Sequence, residues 1–240
     1  MPRFFIDPPT ADTVHLTGET AAHIAKSLRM TAGERLTLCD GHGTDYAAVI
    51  SSVDHSTVTA TIIDRAPSRG EPDVRIVLLQ GLPKGDKMEW IVQKAVELGV
   101  GAIIPFTAAR SVSRPDDASA RRKAARWQKI ADEAAGQSQR GRIPQVSACI
   151  SFADALKRAA ACDRMLLCYE GGGSRLAPLL SDKPESVAVL IGPEGGFAPE
   201  EVAQAEAAGA VRVTLGPRIL RTETAPLAVL SAILYATGNL

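Results

Sequence analysis

The stretch Val187-Ala188-Val189-Leu190-Ile191-Gly192-Pro193-Glu194-Gly195-Gly196-Phe197 decides how this chain is read. A short all-apolar run stops at a glycine-rich turn, and Pro199 with Glu200 and Glu201 then opens a helix. Such a run is the mark of a parallel strand covered on both faces, and proline with acids in the first turn marks a helix start. The same rhythm extends in both directions. Val74 to Leu79 predicts a strand. Lys87 to Leu98 predicts a helix, with Met88, Ile91, Val92, Ala95 and Leu98 at helical spacing and Gly99 as its stop. Ala102 to Pro105, Met165 to Cys168 and Val211 to Leu215 predict further strands. Phe152 to Ala161, Pro199 to Ala208 and Ala225 to Thr237 predict helices. This alternation predicts an α/β fold built on a mostly parallel sheet.

Residues before about position 66 follow another pattern. Arg35 to Cys39, Tyr46 to Val53 and Thr57 to Ile63 alternate or are β-branched, and Asp40-Gly41-His42-Gly43 and Asp54-His55-Ser56 supply turns between them. A helix is expected over Glu19 to Leu28, and Ala66 to Pro72 reads as a linker. The expected division is therefore a β-rich domain over residues 1–70 and an α/β domain over residues 71–240.

Hydrophobic content of 45 % and charged content of 22 % exclude a disordered chain and describe an ordinary globular one. The longest apolar stretch, Ala225 to Ala236, holds Pro226 and Ser231 and falls short of the roughly 20 residues a membrane span needs. The opening Met-Pro-Arg-Phe-Phe-Ile-Asp has no apolar h-region, so a cytoplasmic location is expected. Cys39, Cys149, Cys162 and Cys168 form no C-x-x-C pair and have no histidine at ligand spacing, so reduced thiols and no metal are expected. The net charge of +0 conceals an uneven distribution. From Arg110 to Arg142 nine basic residues face four acids, whereas from Asp182 to Glu206 six acids face Lys183 alone.

Ligands of open α/β sheets bind beyond the carboxyl ends of the strands. The turn from Ile191 to Gly196 lies at such an end, and its adjacent glycines let backbone approach a ligand closely. It lacks the Lys-Ser/Thr of a phosphate loop and carries Glu194 at its centre, so a cation-bearing ligand such as a sulfonium fits it better than phosphate does. A second loop, Leu215-Gly216-Pro217-Arg218-Ile219-Leu220-Arg221-Thr222-Glu223-Thr224, sets two arginines around an apolar pair. It precedes a helix that is apolar nearly all round and must be buried, in the fold or against a second subunit. After the first α/β strand, Gly81-Leu82-Pro83-Lys84-Gly85-Asp86-Lys87 is no dinucleotide fingerprint, but Lys84 and Lys87 could meet phosphate. Arg122, Arg126 and Lys129 share one face of a helix over Ser119 to Gln139. With Arg110, Arg114, Arg140 and Arg142 they form a plausible phosphate-tracking surface.

Taken together, LPKGDKMEWIVQKAVELGV, RWQKIADEAAGQSQRGRIP, IGPEGGFAPEEV and LGPRILRTETAPLAVL resemble the ribosomal RNA small subunit methyltransferase E family, uridine N3-methyltransferases of 16S rRNA. The likeness extends over nearly the whole chain. It implies a SPOUT-type parallel sheet domain ending in a trefoil knot, an N-terminal PUA-like β-barrel, a homodimer through the knot region and the 30S subunit as substrate. It also implies S-adenosylmethionine as methyl donor, held by Ile191, Gly192, Pro193, Glu194, Gly195 and Gly196 and by Leu215, Gly216, Arg218, Ile219, Leu220, Arg221, Thr224 and Ala225, with Tyr169 and Glu170 as a third wall. RNA contacts carry over onto Arg3, Arg29, Lys84, Lys87 and the basic middle. The chemistry expected of such a site is in-line methyl transfer. Glu194 or an RNA phosphate would accept or orient the uridine N3 proton, and Arg218 or Arg221 would stabilise the oxyanion. A non-catalytic RNA-binding module and a methyltransferase acting on a ribose 2′-hydroxyl or a guanine nitrogen are the alternatives. Two departures from the family pattern are Ala198, where a serine N-cap is more usual, and Gly136, expected to fray its helix end.

Overall fold

Apolar runs and alternating stretches sort into two separate sheets in the computed structural model, which describes residues 1–240. Chain contacts divide it into one unit of Met1–Glu71 with Ala135–Ile143 and another of Pro72–Ala134 with Pro144–Leu240.

In the first unit the elements are β1 (Arg3–Phe5), β2 (Thr13–Thr17), α1 (Gly18–Ala22), a π-helical turn over His23–Ser27, β3 (Arg35–Cys39), β4 (Thr44–Val53) and β5 (Thr57–Pro67). The sheet runs β1-β3-β4-β5-β2, parallel only between β1 and β3. Tyr46, Ala48 and Ile50 of β4 point inward, with Leu36, Leu38, Val58, Ala60 and Ile24, and form its core. Register shifts at Ala47/Ala48 and Ile50/Ser52 bend the long β4–β5 hairpin. The expected helix over Glu19–Leu28 is instead a short α-helix running into the π-helical turn. The expected linker begins late, because Ala66 and Pro67 still pair with Asp45 and Thr44.

Two arginines expected on RNA are structural. The Arg140 side chain is 3 % exposed. It donates to both carboxylate oxygens of Glu71 at 3.1 and 2.7 Å, and Glu71 Oε1 also accepts from the N–H groups of Gly141 and Arg142. Arg3 is likewise committed, donating to both oxygens of Asp45 at 2.8 and 2.5 Å. Neither guanidinium is presented to solvent for a phosphate. Gly136 does not fray its helix. The helix continues to Gln137 and closes with Gln139 at φ 59° and the N–H of Arg140 donating to Ala135 O at 2.9 Å.

The second unit carries β6 (Arg75–Gly81), α2 (Lys87–Glu97), β7 (Ala102–Thr107), α3 (Asp117–Gln137, its end from Ala135 belonging to the first unit), β8 (Gln145–Val146), β9 (Ile150–Ser151), α4 (Phe152–Ala159) and β10 (Arg164–Cys168). It continues through α5 (Leu176–Leu179), β11 (Ser186–Ile191), α6 (Pro199–Ala207) and β12 (Val211–Val213) to α7 (Ala225–Thr237). The order is β12-β10-β11-β6-β7-β8, with β9 also paired to β7, and every pairing is parallel. This is the α/β architecture that the alternation predicts. Residues Ile76–Gly81 of β6 and Val187–Ile191 of β11 are buried throughout, which is why these strands read as unbroken apolar runs.

The core fixes the site from below. Phe197, just past the glycine turn, is 1 % exposed and packs against Phe106 and Phe152 with centroids 6.2 and 5.9 Å apart. Such aromatic contacts contribute about 0.5–1.5 kcal/mol each beyond area burial, so the turn is held to the sheet at its far end. Helix α6 starts at Ala198 without a side-chain cap. Glu201 provides the other half of a capping box, its Oε2 accepting from the Ala198 N–H at 2.9 Å and its Oε1 from the Ala109 N–H at 2.7 Å. An Ala198→Ser protein completes the box and gains about 1 kcal/mol. Differential scanning calorimetry then shows a melting point higher by about 2–4 °C. An unchanged or lower melting point would show that Glu201 alone satisfies this helix start.

Candidate active site

Three loops meet beyond the carboxyl ends of adjacent parallel strands β11, β10 and β12. They enclose a cavity of about 500 Å³, lined by Tyr169 and Glu170 after β10, Ile191 to Gly196 after β11 and Thr214 to Thr222 after β12, with Lys87 and Ala225 at its margins. That volume lies in the range of about 300–1,000 Å³ usual for small-molecule sites.

Glycines shape the walls. Gly196 has φ 65°, and a Cβ there would run into the Glu170 carboxylate. Gly216 has φ 104° with open space where a Cβ would stand, so the wall at that point is bare backbone. At the end of β6, a Cβ on Gly81 would lie 2.6 Å from Pro193 N and Cδ. The glycine turn thus rests directly on the backbone of the neighbouring strand.

Electrostatics separates the charged residues into two groups. Lys87 Nζ bonds Glu194 Oε1 at 3.0 Å and lies 3.3 Å from Glu223 Oε2, and the Lys84 N–H donates to Glu194 Oε1 at 3.1 Å. Burial opposes charge on Glu194, but its own N–H, the Lys87 ammonium and the Lys84 N–H outweigh that and hold the carboxyl below its ordinary range. Hydrogen bonds to Glu194, then Glu223, push Lys87 up. The expectation that Glu194 presents free negative charge to a sulfonium is therefore corrected, since Lys87 and two N–H groups meet that charge. Arg218 and Arg221 form the other group. Both line the cavity, both are exposed, and neither guanidinium has a carboxylate partner. The Cys168 thiol, also on the wall, is pushed up to about 12 by burial and is no nucleophile at neutral pH.

Of the residues expected at the methyl donor, Ile191, Gly192, Pro193, Glu194, Gly195, Gly196, Leu215, Gly216, Arg218, Ile219, Leu220, Arg221 and Ala225 line one cavity. Thr224 stands just outside, its N–H bonded to Arg221 O. The expected RNA residues Lys84, Arg110, Arg122, Arg126 and Arg142 are exposed, as is Arg29, and Arg114 is exposed while donating to Ala108 O and Ala109 O. Arg110 donates to Gly195 O at 2.9 Å, and Arg126 pairs with Glu89 at 2.7 Å. No three or more His, Cys, Asp or Glu side chains are grouped so that they could hold a metal ion. Missed in the sequence was Gln80, whereas Thr222 and Glu223 lie within the loop from Leu215 to Ala225 that the resemblance marked. Gln80 had left a signal, as the one polar residue in the buried run Ile76–Gly81.

An RNA methyltransferase domain model matches residues 70–234, and an RNA methyltransferase PUA domain model matches residues 16–63. Ribosomal RNA small subunit methyltransferase E of Bacillus subtilis is 41 % identical over 99 % of this chain and 97 % of its own. This chain belongs to that family of RNA methyltransferases. The Mycobacterium bovis member is 33 % identical over 98 % of the chain and 92 % of its own. A crystal structure of the Neisseria gonorrhoeae family member bound to S-adenosyl methionine matches with a TM-score of 0.87 and 34 % identity over 98 % of this chain and 97 % of that one. The family member thus combines an RNA methyltransferase domain built on a parallel sheet with a PUA domain, as the resemblance implies.

Proposed function

We propose that this chain transfers the methyl group of S-adenosylmethionine to N3 of a uridine in 16S rRNA, and that the cavity between the glycine turn and the arginine loop is where it does so. The observation that carries this reading is the pair of unpartnered guanidiniums, Arg218 and Arg221, over a cavity walled by glycine backbone. The bare backbone at Gly216 fits a closely held ligand, and that ligand, when bound, supplies an electrophilic methyl on a sulfonium. The chain's own residues do the rest. Ile191 to Gly196 and Leu215 to Ala225 hold the donor. Arg218 and Arg221 offer N–H donors to the oxyanion that grows on the uracil carbonyls as the N3 proton leaves. A carboxyl held below its ordinary range is a weak base, and Glu194 is already bonded to two partners, so its role is to clamp the β6–α2 loop to the glycine turn. The N3 proton then leaves to an RNA phosphate or to water. Nucleoside mass spectrometry of 16S rRNA from a deletion strain tests the acceptor. Loss of 3-methyluridine alone is the expected result, while loss of a ribose-methylated or guanine-methylated nucleoside would refute it.

RNA is gripped by cations that remain exposed. Among them Arg29 has φ 53°, a left-handed conformation that glycine adopts more cheaply. Arg29→Gly is expected to raise stability by about 0.5–1 kcal/mol while weakening 16S rRNA binding and reducing its salt slope by about 1. A salt titration with an unchanged slope would remove Arg29 from the RNA surface.

The same reading includes a cytoplasmic enzyme acting on the 30S subunit, a trefoil knot over the segment from the glycine turn to α7, and a homodimer through that region. It is supported by the apolar α7 and by Ile219 and Tyr235, which are 85 % and 78 % exposed. No helix is long and apolar enough to cross a membrane. Light scattering is expected to give twice the chain mass, and a monomer at micromolar concentration would contradict the dimer.

A further inference from the structure

We infer that Gln80 is a positioning residue for the methyl donor, acting through Thr222. Gln80 is the last residue but one of buried strand β6 and is 0 % exposed. Its neighbours Ile76 to Leu79 are all apolar, so an amide here is costly to bury unless its polar atoms are bonded. Gln80 Nε2 uses both protons, donating to Gly81 O at 3.1 Å and to Thr222 Oγ1 at 3.0 Å. Thr222 Oγ1 in turn donates its only proton to Gly192 O at 2.8 Å.

The direction of this chain follows from what each atom can do. Gly81 O and Gly192 O can only accept, so the Thr222 proton goes to Gly192 and its oxygen accepts from Gln80. Turning the amide over would set Gln80 Oε1 against the Gly81 carbonyl. The orientation is therefore determined by the network. Gly192 and Thr222 both line the donor cavity, and Gln80 does not. Three segments far apart in sequence, the end of β6, the glycine turn and the arginine loop, are fastened at one buried point. Gln80 Oε1 is buried without a bonding partner. A leucine at this position removes the orphaned Oε1 but also takes the donor from Gly81 O and Thr222 Oγ1; these effects on stability oppose one another, and the amide's distinct contribution is to set the distance between the two cavity loops.

This assignment rests on the donor site proposed above, and calorimetric titration of the full-length protein with S-adenosylmethionine tests it. Gln80→Leu and Thr222→Val each raise the dissociation constant about tenfold, the equivalent of one well-made hydrogen bond. The Gln80→Leu/Thr222→Val double variant is no weaker than Thr222→Val, because both changes break one chain. Thr222→Ser, which keeps both bonds, recovers most of the affinity, and the melting point of Gln80→Leu stays within a few degrees of the parent. A purely structural role predicts the opposite pattern: a lowered melting point with donor affinity within twofold of the parent, which would overturn the assignment, as would additive losses in the double variant. If the parent protein binds S-adenosylmethionine and Gln80→Leu binds it equally well, only this assignment falls. If the parent does not bind it at all, the donor site falls too.

Discussion

Replacing Arg221 with alanine lowers the turnover number about 10²–10³-fold, the usual effect of removing one donor from a developing oxyanion. The residue is exposed on the cavity wall and has no carboxylate to satisfy, so its loss leaves no buried charge behind and little change in stability. On the proposed reading most donor contacts come from the glycine turn and the backbone of the arginine loop, so the dissociation constant for S-adenosylmethionine is expected to move only a few-fold. The separation of the two effects is the signature, because an interaction made only in the transition state lowers turnover without weakening ground-state binding. Single-turnover kinetics with saturating donor reads it directly. Full turnover in Arg221→Ala would assign the oxyanion to Arg218 alone.

Gly81→Ala is the second large effect. The added Cβ would lie 2.6 Å from Pro193 N and Cδ and 2.9 Å from Gly192 C, and these are backbone or ring atoms that cannot swing away. Strand β6 cannot yield either, since Gly81 pairs with Phe106 and the Leu82 N–H donates to Phe106 O at 2.8 Å. The glycine turn must therefore lift off the sheet. Displacement of a positioned ligand by about 1 Å costs about 10²-fold, and overpacking costs about 1–3 kcal/mol of stability. Titration calorimetry and thermal melting should show both losses. A folded Gly81→Ala protein with parental donor affinity would mean that the turn after β11 does not hold the donor.

The sequence shows some parts of this molecule plainly and hides others for physical reasons. Strands β6 and β11 are legible because sheets covered on both faces demand unbroken apolar runs. The loops that line the cavity are legible because ligands collect at strand ends, where glycines such as Gly192 and Gly196 stand out. Strand β1, three residues long, is too short for periodicity to mark, and the pairing of β1 with β3 and of β2 with β5 is a tertiary fact. Nor does the letter R distinguish a working guanidinium from a structural one. Arg140 and Arg221 read alike, yet one is sealed against Glu71 and the other lines the cavity without a partner. Glu194 shows the same limit. As a lone acid in a glycine turn it suggested attraction for a cation, and only the approach of Lys87, distant in sequence, reveals that its charge is already met.

On the reading proposed above, the arginine-lined cavity methylates uridine N3. The most direct test of that reading is to incubate the purified protein with 30S subunits and S-adenosylmethionine carrying a deuterated methyl group, then to analyse the digested 16S rRNA by nucleoside mass spectrometry. One deuterated product, 3-methyluridine, is expected, formed by the parent protein and strongly reduced with Arg221→Ala. Label in any other nucleoside, or no label despite donor binding, would contradict it.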